Sequence, residues 1–162
     1  MKVAVVMGSK SDLELVRGAL DTLDSFGVGY CARVISAHRT PAEAAAFARE
    51  IDASDEYRVV ICAAGMAAHL GGVLAAGTVL PVIGIPVAGG ALNGLDALYA
   101  TVQMPSGVPV ATVACGSAGP TNAALLAVQI LGTADAELRA KFHAHKKALA
   151  DKVAKANEKI HA

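Results

Sequence analysis

At 162 residues the chain has room for one ordinary domain, which excludes separate cofactor and substrate domains. Hydrophobic residues make up 54% of it and aromatics only 4%, with no Trp, so the core must be built from Ala, Val, Leu and Ile, and disorder is excluded. Fourteen basic residues cancel fourteen acidic ones, and no stretch joins Lys and Arg to aromatics, so no nucleic-acid partner is expected.

In chain order, residues 3–7 are short, apolar and β-branched, and they end in Gly8-Ser9-Lys10-Ser11-Asp12, which reads as strand and turn. Leu13, Val16, Leu20, Leu23 and Phe26 then recur at helical spacing, Gly27 and Gly29 close that helix, and residues 30–35 run extended. Thr40, Pro41 and Glu43 start a second helix over residues 41–51. A third strand at 58–63 feeds the turn Ala64-Gly65-Met66, an Ala/Leu-rich helix over 67–76 and a fourth strand at 81–85. A Gly-rich stretch to Gly94 precedes a short helix over 95–102, a fifth strand at 109–114 and a helix over 121–131. A long helix runs from 134 toward 160, and its stripe of Leu138, Phe142, Leu149 and Val153 needs a partner.

Five apolar strands alternating with helices predict a single three-layer αβα domain over residues 1–162 with a parallel sheet. Ligands of such sheets lie beyond the carboxyl ends of the strands, at the loops that begin at Gly8, Ser36 and Ala64. No membrane partner is expected: the stretch between Arg58 and Asp96 lacks Asp, Glu, Lys and Arg, but Gly65, Gly71, Gly72, Gly77, Pro81, Gly84 and Pro86 interrupt it short of the ~20 apolar residues of a span. Cys31, Cys62 and Cys115 are scattered and odd in number, and no export leader opens the chain. Both point to free thiols in the cytoplasm. From position 135 onward seven basic residues face four acidic ones, a basic tail helix.

The polar groups of the three loops are the candidates for chemistry. Gly8, Ser9, Ser11 and Asp12 offer backbone N–H groups, hydroxyls and a helix start to a phosphate. Equally, Ser11 or Asp12 could simply cap the helix. Asp12 could also accept from ribose hydroxyls, whereas Lys10 reads as solvated. Ser36-Ala37-His38-Arg39 sets an imidazole able to exchange protons beside a guanidinium suited to an anion; the competing reading is a surface histidine next to an ion-paired arginine. Gly65, Ala68, His69 and Leu70 belong to a segment of tiny residues where backbone can approach a planar ligand, and a lone histidine there ordinarily belongs to the core. His143, His145 and His161 lie in the tail helix without Cys or carboxylate at zinc spacing, so they read as solvated and no metal site is assigned. Ser106 and Ser117 lack the G-x-S-x-G setting of a hydrolase nucleophile, and Cys115 has no charged neighbour to activate it.

Taken together, the segments from Val6 to Asp12, Ser36 to Pro41, Ala67 to Leu70, Val102 to Val110 and Asn122 to Ala127 resemble the PurE family of purine biosynthesis, and within it the class I form. The resemblance implies a flavodoxin-like five-stranded sheet and a homo-octamer with shared sites, the C-terminal helix packing on a neighbouring subunit. It implies no cofactor and no metal. The implied isomerase moves a carboxylate of a ribonucleotide from the exocyclic nitrogen of an aminoimidazole to carbon C4. Ser9, Asp12 and Arg39 match substrate-binding positions and His38 the general acid/base, with Gly8, Ser11, Ser36, Gly65, Ala68, His69 and Leu70 around them. Protonating the carbamate nitrogen releases CO2, and a dry pocket must hold it until C4 is carboxylated. The Gln103-Met104-Pro105 loop is expected to help close that pocket.

Three positions depart from the family pattern: Leu13 where Trp is frequent, Met66 where Gly is frequent and Gly71 where Pro is frequent. The class II form, which carboxylates aminoimidazole ribonucleotide directly, tends to carry Lys at position 39 and a more polar stretch at 66–68, so Arg39 and Met66-Ala67-Ala68 favour class I. A non-catalytic nucleotide-binding module on the same fold is the remaining alternative.

Overall fold

The computed structural model describes residues 1–160, which places His161 outside the described residues. Five strands form one parallel sheet in the order β2-β1-β3-β4-β5: β1 (Lys2–Met7), β2 (Gly29–Val34), β3 (Tyr57–Gly65), β4 (Val82–Val87) and β5 (Ala111–Thr112). The alternation of strands and helices predicts the parallel sheet, and its order is the doubly wound, flavodoxin-like one that the family resemblance implies. Alternate residues of each strand serve opposite faces. Val3, Val5, Met7, Val59, Ile61, Ala63, Ile83 and Ile85 pack with α1 (Leu13–Phe26) and α5 (Ala118–Gly132), whereas Ala4, Val6, Val60, Cys62 and Val82 pack with α2 (Pro41–Asp52) and α3 (Leu70–Ala75). Because both faces are covered, the central strands read as unbroken apolar runs. Gly84 takes the second face too, where it makes room for Thr101 of α4 (Leu95–Val102).

The helix ends follow local chemistry. Gly27 adopts φ 73 after α1 and donates to Asp24, while Val28 donates to Leu23, a glycine-closed terminus. Thr40 does not cap α2 with its side chain; its hydroxyl instead bonds Ser36, accepting from the Ser36 N–H at 3.1 Å and donating to the Ser36 carbonyl at 3.0 Å. The helix expected over 67–76 is confined to Leu70–Ala75, because Met66 turns into the left-handed region at φ 54, the chain bends at residues 66–67 and residues 68–69 are not yet helical. The fourth strand extends through Pro86 to Val87. Pro86 lies beyond the stretch where β5 pairs with β4, so its missing N–H costs no bond on that side. The fifth strand shrinks from the expected 109–114 to two residues, since it is an edge strand that Pro109 precedes and Gly116, at φ 97, follows closely.

The long helix α6 (Ala136–Glu158) begins at Asp135, whose carboxylate accepts from the N–H groups of Glu137 and Leu138. Leu138 is buried, and Phe142 and His145 lie with Phe26, at ring centroid distances of 6.1 Å and 5.7 Å. His145 is therefore partly packed rather than solvated as expected, and the first half of the stripe is satisfied within the chain. Leu149 and Val153 are left exposed. No helix among the described residues is long and apolar enough to cross a membrane.

A side chain at Gly119 would drive its Cβ into the carbonyl oxygen of Ala114 and within 3.1 Å of Ile85. Because backbone cannot give way as a flexible side chain can, Gly119→Ala is expected to lower unfolding free energy by roughly 1–3 kcal/mol, read as a reduced urea midpoint.

Candidate active site

Three loops meet at the carboxyl end of the sheet. The register pairs Met7 with Val34 on one side and with Ala63 on the other, so the chain leaves β1, β2 and β3 at one level. Gly8 then bonds the Ala63 carbonyl and Ile35 bonds the Met7 carbonyl, extending both ladders into the loops. The cleft between them has a volume of about 610 Å³, and Gly8, Ser9, Ser11, Asp12, Ser36, His38, Arg39, Gly65 and Leu70 all line it. Of the expected site residues only Ala68 and His69 are absent from its wall. Ala68 is buried behind it, whereas His69 reaches the site by another route.

The first loop makes a single 3-10 turn (Lys10–Asp12) that Ser9, not Ser11 or Asp12, caps. The Ser9 hydroxyl accepts from the Ser11 N–H at 3.3 Å and from the Ser11 hydroxyl at 2.9 Å, while Asp12 accepts from the Ser9 N–H at 3.1 Å. This reciprocal cap holds the three side chains together. Burial pushes the Asp12 carboxyl above its ordinary range, and the bonds from Ser9 and Ser11 oppose that shift only in part. Lys10 is exposed and does not line the cleft.

The second loop places Arg39 across the first. Its Nε donates to the Ser36 hydroxyl at 3.3 Å and a terminal nitrogen donates to the Gly8 carbonyl at 3.3 Å. Its backbone N–H also bonds the Ser36 hydroxyl, at 3.2 Å. Arg39 makes no ion pair among the described residues, so a positioned, uncompensated guanidinium faces the cleft. That removes the reading of a surface arginine in a salt bridge.

His38 meets His69 through Nε2 and Nδ1 at 2.9 Å, with the rings edge-on at 75°. One ring must donate and the other accept, so the contact couples their tautomers. Sequence reasoning missed this pairing because 31 positions separate the two histidines and no local signal links their loops. It also missed Ala37 as a cleft wall, since an alanine carries no chemical signal until the fold turns it inward, whereas Ala64 lines the cleft as the segment of tiny residues led one to expect. The loop at 103–105 does not close the cleft within this chain: Met104 lies over Gly72 of α3 instead.

Comparison with known proteins finds likeness along nearly the whole chain. Residues 2–152 match the model of the family described as AIR carboxylase. The chain is 48% identical to the N5-carboxyaminoimidazole ribonucleotide mutase of Escherichia coli K12, over 94% of this chain and 89% of that protein. It is 54% identical to the mutase of the same name from Saccharolobus solfataricus, over 87% of each. The crystal structure of Treponema denticola PurE superposes with a TM-score of 0.90 at 30% identity, covering 98% of this chain and 97% of that one. With its strand order, its loop cluster and these likenesses in agreement, the chain belongs to the AIR carboxylase family.

Proposed function

We propose that this protein is an N5-carboxyaminoimidazole ribonucleotide mutase, an isomerase of purine biosynthesis that yields 4-carboxy-5-aminoimidazole ribonucleotide. Relatives at about half identity carry that name. The observation in the site that best supports the assignment is the shared cleft of His38 and an Arg39 that no carboxylate neutralises among the described residues. Substrate and product are isomers, so the reaction needs an anion holder, a proton carrier and a place to keep one small intermediate. Arg39 and the Ser9 turn grip the ribose phosphate, and Asp12 accepts from a ribose hydroxyl. Burial raises the affinity of Asp12 for a proton, and a further hydroxyl donor to the carboxylate would oppose that shift as the bonds from Ser9 and Ser11 do.

His38 carries the proton. It protonates the carbamate nitrogen as the C–N bond breaks, and the carboxyl group leaves as CO2. Carbon C4 of the electron-rich ring then attacks CO2, and the C4 proton returns to the same imidazole, so one base serves both steps and no proton is lost. His69 holds the His38 ring by their mutual hydrogen bond. Gly65, Ala64, Ala67 and Leu70 offer CO2 a small apolar lodging.

Supplying the purified protein with each substrate at low bicarbonate tests the assignment. Conversion of N5-carboxyaminoimidazole ribonucleotide is expected, and conversion only of aminoimidazole ribonucleotide would overturn it. His38→Asn is expected to lower turnover by about 10²–10⁴-fold while calorimetry still detects ribonucleotide binding. Arg39→Ala is expected to act oppositely, weakening binding by about 1.5–3 kcal/mol through a lost charged hydrogen bond.

We further infer that copies of the chain assemble, with an octamer as the expected state, in the reducing cytoplasm that three free thiols suit. Leu95, Tyr99 and Val102 of α4 recur at helical spacing yet stand 49%, 57% and 48% exposed, and Leu149 and Val153 leave the end of α6 equally bare. Apolar stripes of this kind fit contact with further copies, including packing of α6 on a neighbour. Sedimentation at micromolar concentration is expected to show an oligomer that Tyr99→Glu weakens; a wild-type monomer would refute the assembly.

A further inference from the structure

Met66 stands at φ 54, a backbone conformation that is free for glycine but costs any residue with a Cβ, and its apolar side chain is 62% exposed at a polar cleft. Strain at a site of chemistry calls for a compensating gain. Beside the cleft of His38 and Arg39 lies a second of about 510 Å³, bordered by the glycine-rich loop after β4 and by Gly116. The two clefts share four wall residues, Ser11, Asp12, Gly65 and Met66, which makes them two compartments of one trough along the carboxyl ends of the strands. Across this trough, Gly90 presents bare backbone at φ 65. A Cβ built there would lie 3.4 Å from Met66 Cγ and 3.7 Å from its Sδ, so the thioether leans against the far loop.

We infer that Met66 is the partition between these compartments, and that it seals the reacting chamber on its β4 side against loss of CO2 between cleavage of the C–N bond and formation of the C–C bond. The inference rests on the mutase reading. An unbranched thioether is suited to this task because it is apolar, offers no hydrogen bond to water and adapts to an irregular gap. Glycine would relax the backbone here and leave the trough open from end to end. Met66 is thus a containment residue, not a catalytic one: it changes where CO2 can go and touches neither the proton transfers nor the anion grip.

The test uses substrate labelled with ¹³C in the carboxyl group, converted in excess unlabelled bicarbonate with carbonic anhydrase present to equilibrate any escaped CO2. Two quantities are read above the spontaneous background: label kept in the product, and free aminoimidazole ribonucleotide. Wild type is expected to keep its label. M66G is expected to lose it several-fold more often and to accumulate aminoimidazole ribonucleotide, with a thermal midpoint at or above that of wild type because the backbone strain is gone. M66L, which restores an apolar side chain, is expected to keep the label, and M66A gives the truncation readout should the glycine variant fold poorly. Equal retention by wild type and the truncated variants, or equal loss by M66L and M66G, overturns the partition and leaves the mutase reading standing. A wild type that leaves the substrate unconverted overturns both.

Discussion

The site depends on one constraint, the parallel registration of β1 between β2 and β3. Met7 pairs with Val34 and with Ala63, so three consecutive crossovers deliver Gly8, Ser36 and Gly65 to the same rim of the sheet. Strands are about 3.3 Å per residue, and a slip of one residue in either pairing would both displace a loop by that distance and turn its strand inside out. The alternation of Val3, Val5 and Met7 against Ala4 and Val6 makes such a slip costly, because both faces are buried. Hydrophobic packing far below the cleft therefore positions polar groups within it.

Above that foundation the first two loops are each closed by their own side chains, and Arg39 ties the second loop to the first. Ser9 and Asp12 close the first loop, Ser36 closes on Arg39 and Thr40, and Arg39 reaches back to Gly8. These bonds fix the loops while Arg39 makes no ion pair among the described residues and the Asp12 carboxylate is partly buried. Such an arrangement is primed for a ligand that brings an anion and hydroxyl donors together, which a ribonucleotide does. The imidazole pair fixes the orientation of both rings at the edge of the same cleft.

The apolar elements of the chain have two fates. The face of α1 and α5 is covered within the chain, and α6 covers part of it with Leu138 and Phe142. The exposed side chains of α4 and the end of α6 have no such cover. The composition runs the same way, since a hydrophobic share of 54% lies above the ordinary apolar share of a globular domain, and small side chains such as Ala and Gly let surfaces approach closely.

The order of strands and helices, the two-faced sheet and the polar loops were legible in the sequence, because continuous apolar strands, helical periodicity and Gly or Pro punctuation are local signals. So were Ser9, Asp12, His38 and Arg39 as candidates, since polar residues at the ends of apolar strands stand out. Local signals failed where neighbours in space decided the matter. The fifth strand was shortened by its place at an edge, α3 by the left-handed turn at Met66, and the cap of the first loop moved to Ser9 once Asp12 folded back upon it. Only the tertiary structure could join His38 to His69, set Arg39 across to the Gly8 carbonyl and lay Met66 against Gly90, because each of these contacts joins residues that the chain order keeps apart and the sheet register brings level.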